Sequence, residues 1–531
     1  MTTATLPVSR AVADVLARGE LAEAMQAQIH RVGGCERPIR LVGRAALVDT
    51  ATGEIRRSWT SQDLPDGTVL IACGNRRATR CQPCSRLYQG DAFQLVVAGL
   101  RGGKTVPDTV ASHPALFVTL TAPSFGPVHT TRLGRDGRPD RCRRRAHTAT
   151  CPHDQPSGCP IRHEPGDPLL GQPLCQECFD YEAAVLWNAH ASELWRRTRI
   201  GIDRALARLA GITVKRLRTL VRVQYVKVAE FQRRGLIHFH LAIRLDAATV
   251  TLDDDGNETH AYHPPPEAFT ADLLAAAIEQ AASGARAPYP TPSRSADSTT
   301  TTTTTTYDHD RWLERTTPVV DQASVYRFPV LRLHARPELA EARWGSQLHI
   351  TPILADDTAR QVTGLERGQV AGYLGKYATK HTETLGGLDR RVDLDDIPML
   401  LINPHIRRLV ATALLLTRHH PATDQGRDLK LDRWAHQLGY GGHWLTKSRA
   451  WSTTFTALRT ARRTWQQARN PDALALDEGQ DQIASWQLAG IGYRTTGDAW
   501  LAELARRRHA QAREAEREQR AERRLAEALA A

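Results

Sequence analysis

The chain has 531 residues and carries 70 Lys and Arg against 58 Asp and Glu, which gives a formal net charge of +12 at pH 7. A chain of this length has room for two to four domains, and the excess of positive charge favours a polyanionic partner. There is no secretory signal peptide and no apolar stretch long enough to span a membrane, so we expect a cytoplasmic protein without a membrane partner.

Cysteines dominate the segment that follows position 72. Eight of the nine cysteines lie between Cys73 and Cys178. Two Cys-x-x-Cys pairs occur among them, Cys81/Cys84 and Cys175/Cys178. This spacing lets a turn direct two thiolates onto one ion, and eight thiols would complete two four-cysteine zinc sites. The predicted ligands of two structural zinc ions are Cys73, Cys81, Cys84, Cys142, Cys151, Cys159, Cys175 and Cys178.

Three histidines of the same segment, His147, His153 and His163, are alternative ligands, and spacing does not give the pairing of ligands between the sites. Disulfides are the competing interpretation, but an intracellular chain keeps its thiols reduced. Ligands lie on both sides of the apolar segment 116–123, so zinc would staple parts of the fold around that strand rather than form a detachable finger. Cys35 stands apart and is interpreted as a small buried residue.

Residues 98–105 fit a relaxed phosphate-loop pattern. A nucleotide site would need a long helix starting at Lys104, whereas Pro107 and Pro114 interrupt the segment. A glycine-rich turn is the better interpretation, and a chain without its own ATPase would need a helicase from its host.

Two strands of a hairpin are predicted over 221–232 and 236–244. The short loop between them has Gly235 where a left-handed residue is wanted. This register places Glu230 opposite His238, and cross-strand Cβ atoms lie about 5 Å apart. A half-exposed strand with solvated histidines is the alternative. The predicted ligands of one divalent cation, Mg²⁺ or Mn²⁺, are Glu230, His238 and His240.

The pattern weakens between positions 246 and 318. A helix is predicted over 266–282. Residues 283–310, which include an unbroken threonine run at 299–306, are interpreted as a disordered linker.

Two tyrosines, Tyr373 and Tyr377, are spaced to share one face of a helix. Each is followed three residues later by a lysine, Lys376 and Lys380, in a chain that uses lysine sparingly. Amphipathic packing of the tyrosines is the alternative. A phenol beside a metal suggests attack on a phosphodiester, which gives a 5′-phosphotyrosyl enzyme and a free 3′-hydroxyl. Tyrosine titrates near pH 10, so the lysines or the metal would have to assist it.

Helices are predicted beyond the tyrosines over 404–418, 431–439 and 453–469, and over 500–531, where Glu and Arg alternate at helical spacing. Residues 431–449 could be a helix-turn-helix that reads DNA or part of a helical lobe packed on the nuclease. Lys447 and Arg449 suit contact with phosphate.

The order of these motifs, His-x-His followed by Tyr-x-x-x-Tyr, resembles the HUH endonucleases that initiate rolling-circle replication. Residues 373–380 are similar to the two-tyrosine motif of isometric-phage replication proteins. DNA relaxases place tyrosine before the histidines. The segments that resemble replication initiators of actinobacterial plasmids and integrative elements are 116–129, 234–240, 370–380 and 442–449.

The resemblance implies an α+β fold in which the threonine strand, the histidine strand and the tyrosine helix belong to one antiparallel sheet carrying helices, with zinc-stapled insertions and a mainly helical C-terminal lobe. Thr119 and Thr121 would be scaffold or DNA contacts. The expected regions are an N-terminal region (1–72), the cysteine region (73–185), the histidine hairpin (186–245), the insertion (246–318), the tyrosine helix (319–385), a helical DNA-binding lobe (386–475) and a charged helical tail (476–531).

The function that these motifs predict is replication initiation by a metal-dependent nicking-closing endonuclease. It would cut single-stranded origin DNA, with Tyr373 as the first choice of initiating nucleophile and Tyr377 acting in termination, and it would depend on a host helicase and DNA polymerase. Two alternatives stay open: a two-tyrosine single-strand DNA transposase, and a non-catalytic zinc-containing DNA-binding regulator.

Overall fold

The computed structural model of the protein describes residues 8–19, 21–131, 133–134, 138–143, 150–252, 258–289, 341–354, 364–380, 388, 390–419, 429–468 and 480–530. The chain divides into two compact units. The first unit comprises Met1–Asp108, Ala371–Lys380 and Ser452–Ala531, and the second comprises Thr109–Val370 and His381–Trp451. No helix within the described residues is long and apolar enough to cross a membrane. The finer domain boundaries expected from the sequence remain predictions.

Helices and strands are both numerous among the described residues, as the prediction of an α+β fold requires. The α-helices are α1 (Val8–Ala17), α2 (Leu21–Arg31), α3 (Gln82–Arg101), α4 (Tyr181–Leu209), α5 (Val214–Leu220), α6 (Ala271–Gly284), α7 (Arg367–Tyr377), α8 (Pro404–His419), α9 (Leu431–Trp434), α10 (Phe455–Ala468) and α11 (Thr496–Ala530). The β-strands are β1 (Ile39–Asp49), β2 (Ile55–Thr60), β3 (Val69–Ile71), β4 (Ala115–Leu120), β5 (Val221–Phe231), β6 (Ile237–Ala247), β7 (Val250–Leu252), β8 (Glu258–His260), β9 (Ala287–Pro288), β10 (Glu341–Ala342), β11 (Leu348–Leu354), β12 (Leu365–Glu366), β13 (Leu445–Lys447) and β14 (Gln480–Ile491).

The first unit is organised around β1, which pairs with β2, β3 and β14. β1 and β14 are antiparallel, from Asp49 opposite Gln480 to Ile39 opposite Ile491. The N-terminal part of α11 packs on α1 and α2. The apolar side chains buried there join the two ends of the chain into one core.

The tail does not consist of helix alone, which corrects the expectation for residues 476–531. Residues 480–491 form β14, and the predicted helix begins at Thr496. This strand could not be predicted from the sequence, because its side chains are mostly exposed and show no alternation of apolar and polar residues. Its partner strand lies near the other end of the chain.

The second unit contains a six-stranded sheet with the order β12-β11-β4-β6-β5-β13. Every neighbouring pair is antiparallel except β11 and β12, which are parallel. α4 packs on α6 and on α8, and these helices share a core with the sheet. β6 contributes Ile237, Phe239, Leu241 and Ile243 to that core, each 1% exposed or less. Alternate residues of β6 therefore face the helices, as the period of two predicted.

The β5–β6 hairpin has the register predicted from its turn. Glu230 pairs with His238, and the amide of Gln232 donates to the carbonyl of Leu236 over 2.8 Å. Gly235 has a φ of 76°, a conformation that costs a residue with a Cβ more than it costs glycine. The glycine thus closes the loop that sets which residues of the two strands face each other.

Neighbouring segments hold this turn in place. The Arg234 guanidinium donates to the carbonyls of Ala122 and Pro123, both over 2.8 Å. His405 on α8 lies 3.0 Å from the Arg234 carbonyl through Nε2 and 3.0 Å from the Tyr181 hydroxyl through Nδ1. Burial lowers the pKa of His405 to about 4, so the ring is neutral in the folded protein near pH 7.

The C-terminal part of the second unit is not a helix-turn-helix. Residues 445–447, which would belong to its second helix, form β13 and pair with Val226–Val228 of β5. The segment before them is α-helical only over Leu431–Trp434 and continues as a 3₁₀ turn. Of the two interpretations, the helical lobe is closer to the structure, because α9 packs on α8 and α8 packs on α4, although residues 445–447 form a strand.

Three other helix predictions are confirmed as α8, α10 and α6. The last of these begins later than predicted, at Ala271, after its N-cap Thr270. Of the predicted linker, residues 290–310 lie outside the described residues, as does the whole of the segment 319–340 expected before the tyrosine helix.

The phosphate-loop pattern at 98–105 corresponds to the end of a helix followed by a turn. α3 ends at Arg101, Gly102 has a φ of 87°, and Gly103 forms an isolated bridge with Val106. An added Cβ at Gly102 would lie 2.5 Å from the Asp108 Cα. The glycine is therefore needed for a close backbone approach, and no helix begins at Lys104.

The buried His405 should make stability depend on pH. Its folded pKa of about 4 lies below the ordinary value of about 6.5, so the unfolded chain takes up the proton first as the pH falls. We expect the free energy of unfolding to decrease by up to about 3 kcal/mol between pH 6.5 and pH 4 on this account. Urea denaturation of wild type and His405→Gln across this range checks the prediction, since the variant should show a shallower decrease. Equal pH dependence of the two proteins would contradict it.

Candidate active site and metal-ligand groups

Three predicted ligands converge on one face of the β5–β6 hairpin. Nε2 of His238 lies 3.0 Å and Nε2 of His240 lies 3.2 Å from the same carboxylate oxygen of Glu230. The two imidazole centroids are 4.3 Å apart. One ligand atom from each residue lies within 4.8 Å of the others. The side chains are 4–14% exposed, so the group is reachable from solvent but largely enclosed.

The adjacent strand orients one of these histidines. Thr119 on β4 pairs with His240, and its Oγ1 lies 3.0 Å from Nδ1 of that ring. Phe117 stacks against the same ring with centroids 5.9 Å apart. A hydrogen bond at Nδ1 leaves Nε2 to act as a ligand, which is the usual arrangement of histidine at metal sites.

This donor set fits a divalent cation. Two imidazole nitrogens and a carboxylate oxygen provide three ligands, and an ion at their centre would keep positions for water or phosphate oxygens. Thr121, the other predicted scaffold or DNA contact, is buried and its hydroxyl donates to the Gln347 carbonyl over 2.6 Å. In this structure Thr121 is part of the scaffold.

The two tyrosines share a face of α7, as their spacing predicted. Their ring centroids are 4.3 Å apart, and the Tyr373 side chain is 37% exposed. Nζ of Lys380 lies 3.9 Å and Nζ of Lys376 lies 6.0 Å from the centroid of the Tyr377 ring. The predicted lysines therefore lie beside the second tyrosine.

The opposite face of α7 makes the packing contacts. Leu374 and Ala378 are fully buried, and Gly375 lies so close to α3 that an added Cβ would be 3.3 Å from the Gln89 carbonyl oxygen. The alternative that the tyrosines are there for packing is disfavoured, because Tyr373 is exposed and other residues bury the helix. Residues 371–380 belong to the first unit, whereas the Glu230 group belongs to the second.

The cysteines gather into three groups, each with four ligand atoms within 4.8 Å of one another. This corrects the expectation of two four-cysteine sites. Two histidines named as alternatives, His153 and His163, take part, whereas His147 lies outside the described residues. The groups are Cys35, Cys73, Cys81 and Cys84 in the first unit, and His129, Cys142, Cys159 and His163, together with Cys151, His153, Cys175 and Cys178, in the second.

The mixed group at His129 has the geometry of a metal site. Nδ1 of His129 lies 3.1 Å from Nε2 of His163, and the Cys159 thiol lies 3.5 Å from the same Nε2. Nδ1 of His163 lies 2.6 Å from the Asp167 carboxylate, a second hydrogen bond that commonly orients a histidine ligand. The Cys142 thiol completes the group, 3.8 Å from Nδ1 of His129.

In the other mixed group, Nδ1 of His153 lies 3.3 Å from the Cys178 thiol and 3.8 Å from the Cys175 thiol. All nine cysteines are free, so the competing interpretation as disulfides is not supported.

Comparison with known proteins gives the family. A family model described as "Replication initiator protein, pSAM2" matches residues 21–305 and 297–507. A replication initiator protein of Streptomyces ambofaciens is 36% identical over 482 residues, which cover 90% of this chain and 88% of that protein. The chain belongs to this family of replication initiators. No solved structure matches it.

Two residues of the initiator that the sequence suggested for phosphate contact lie at the edge of its six-stranded sheet. Lys447 ends β13, and its Nζ donates to the carbonyls of Ser448 over 3.3 Å and Arg449 over 3.1 Å. Burial lowers the pKa of Lys447. The Arg449 side chain is exposed, so of the two it is the more available to a ligand.

Sequence reasoning missed two members of the groups in this initiator. Cys35 was interpreted as an isolated buried residue, but it lies among three other thiols. His129 closes the segment 116–129 and was not considered as a ligand. Neither residue has a second ligand within four positions of it, so neither belongs to a Cys-x-x-Cys pair, the spacing that first indicated zinc.

Proposed function

We propose that this replication initiator is a metal-dependent endonuclease and strand transferase of the HUH type, which nicks single-stranded origin DNA to start rolling-circle replication. One observation carries the proposal: the two histidine Nε2 atoms converge on one carboxylate oxygen of Glu230. The chain belongs to a family of replication initiators, and it carries two tyrosines on one face of a helix.

Glu230, His238 and His240 would hold Mg²⁺ or Mn²⁺. When bound, the ion supplies positive charge that polarises the scissile phosphate and stabilises the leaving oxygen. The protein's part is to keep the three ligands in place. The hairpin register sets their spacing, and Thr119 holds the orientation of His240.

The nucleophile is a tyrosine phenol. Its oxygen forms a bond to phosphorus as the bond from phosphorus to the 3′ oxygen breaks, and the proton lost by the phenol balances the one gained by the 3′-hydroxyl. Tyr373 is our choice for initiation because its ring is the more exposed of the two. Tyr377 would act in termination, and Lys376 and Lys380 would stabilise the phosphate charge.

The implied partners are origin DNA, single-stranded at the nick, and a host helicase and DNA polymerase. A host helicase is proposed because residues 98–105, the segment with a relaxed phosphate-loop pattern, form a helix end and a turn. The net charge of +12 suits a nucleic-acid partner. Arg449, exposed at the sheet edge, is the proposed phosphate contact there.

The two mixed groups of the second unit are proposed structural zinc sites. Nitrogen and sulfur ligands in sets of four are typical of structural zinc, which keeps no position open for a substrate. Both groups lie between β4 and α4, where the described residues form neither helix nor strand.

The tyrosine assignment is tested by incubating the full chain with labelled single-stranded origin DNA and Mn²⁺. We expect a covalent protein–DNA adduct that chelation abolishes. Tyr373→Phe should lower its formation by about 1,000-fold or more, because the variant lacks the phenolic oxygen, whereas Tyr377→Phe should still form it. Tyr289→Phe is the matched control and should behave as wild type.

Other outcomes would point elsewhere. If wild type forms no adduct with any origin strand or metal but binds duplex DNA, the protein is a non-catalytic zinc-containing regulator. If cleavage is confined to hairpin ends of a mobile element, it is a single-strand transposase.

Calorimetric titration with Mn²⁺ tests whether Thr119 supports metal binding, independently of DNA cleavage. Thr119→Val removes the hydrogen bond to Nδ1 of His240, and loss of such a partner typically weakens metal binding by about 10- to 100-fold. Thr119→Ser keeps the hydroxyl and should bind like wild type. Thr121→Val, on the same strand, is the control for the loss of a threonine hydroxyl. Unchanged affinity in Thr119→Val would show that the hydrogen bond does not support the site.

A further inference from the structure

Four thiols meet in the first unit, in a place where the sequence indicated three at most. The Cys35 thiol lies 3.7 Å from those of Cys81 and Cys84, and the Cys73 thiol lies 3.7 Å from that of Cys84. Three of the four side chains are buried. Around them lies an apolar cluster that includes Ile29 and Ala502.

These distances distinguish between the ways in which four cysteines can be close. A disulfide would bring two sulfurs to about 2.05 Å, much shorter than the 3.7 Å observed for three different pairs. Zinc–sulfur bonds of about 2.3 Å place tetrahedral sulfurs roughly 3.8 Å apart. The observed spacing is that of ligands around one ion.

The backbone around the thiols is arranged as it is around bound metal thiolates. The amide of Cys73 donates to the Cys35 sulfur and the amide of Glu36 donates to the Cys81 sulfur, each over 3.3 Å. Hydrogen bonds from amides stabilise sulfur in its charged form. The hydroxyl of Tyr493 also donates to the Cys35 carbonyl over 2.7 Å, which fixes the residue that supplies the fourth sulfur.

We propose that Cys35, Cys73, Cys81 and Cys84 bind a third zinc ion, and that this ion holds the surface on which the tyrosine helix rests. Cys81 is the N-cap of α3, and Cys84 lies in its first turn. The ion therefore anchors the start of α3 and both ends of the loop between Cys73 and Cys81.

Both anchored parts contact the tyrosine helix. Arg76, in that loop, donates through Nη1 to the carbonyl of Ala378 over 3.1 Å. On α3, the amide nitrogen of Phe93 and the carbonyl oxygen of Gln89 would each lie 3.3 Å from a Cβ added at Gly375. A loose α3 or a loose loop would thus lose contacts on the face of α7 opposite the tyrosines. Any consequence for nicking rests on the proposed function, but the metal site itself does not.

Zinc content tests the site. Elemental analysis of the purified full chain should give three zinc ions per wild-type chain and two for Cys35→Ser. Cys35→His, which keeps a ligand at this position, should keep the third ion. Cobalt substitution adds a spectroscopic readout, since the difference between wild type and Cys35→Ser should be the spectrum of a four-thiolate site. An equal zinc content in wild type and Cys35→Ser would overturn the site. So would thiols that react in the unfolded chain only after a reductant is added, because that result would show a disulfide.

Hydrogen exchange tests the support of the helix without relying on activity. In Cys35→Ser the amides of residues 371–380 should exchange at least about tenfold faster than in wild type, because contacts under the helix are weakened. Cys151→Ser is the matched control: it also removes one thiol and one ion, but from a group in the second unit. If Cys35→Ser loses its zinc while exchange in 371–380 stays unchanged, the ion does not support the helix. If Cys35→Ser loses one zinc ion and exchanges faster in 371–380 but wild type forms no DNA adduct, the metal site stands and only the proposed nuclease is refuted.

Discussion

The candidate active site depends on the antiparallel register of β5 and β6. Because side chains alternate along a strand, one choice of register sends Ile237, Phe239 and Leu241 into the core and their neighbours His238 and His240 to the other face. A slip of one residue would exchange the two sets. The core therefore enforces the register, and Glu230 comes to lie between the two imidazoles as a consequence of burial on the opposite face.

The groups of cysteine and histidine side chains bear on the stability of the fold rather than on the candidate active site. The described residues between β4 and α4 form isolated bridges but no helix or strand, so backbone hydrogen bonding alone gives this segment little cohesion. Two groups of potential ligands fall within it. A bound zinc ion contributes folding free energy through its ligands, which would compensate for the missing secondary structure. A zinc ion in the third group would do the same between the segment that follows α2, the loop that starts at Cys73, and α3.

The tyrosine helix shows how one short element meets two demands. Small or apolar residues, including Gly375, allow close approach to α3, while both tyrosines remain on the other face. The Tyr373 ring is 37% exposed, and Lys380 lies beside the ring of Tyr377. The helical period thus separates the residues that pack on α3 from the face that carries the two tyrosines.

The sequence by itself determined those features of the fold that depend on the local periodicity of strands and helices. The hairpin, its glycine turn, the pairing of Glu230 with His238 and the shared face of Tyr373 and Tyr377 all follow from periods of two and 3.6 residues, and the structure shows each of them. Only the tertiary structure decided what depends on distant segments. Cys35 lies beside Cys73, His129 joins His163, β14 pairs with β1, and residues 445–447 add a strand to the main sheet. No local pattern encodes such contacts, because they arise from the packing of elements that lie far apart in the chain.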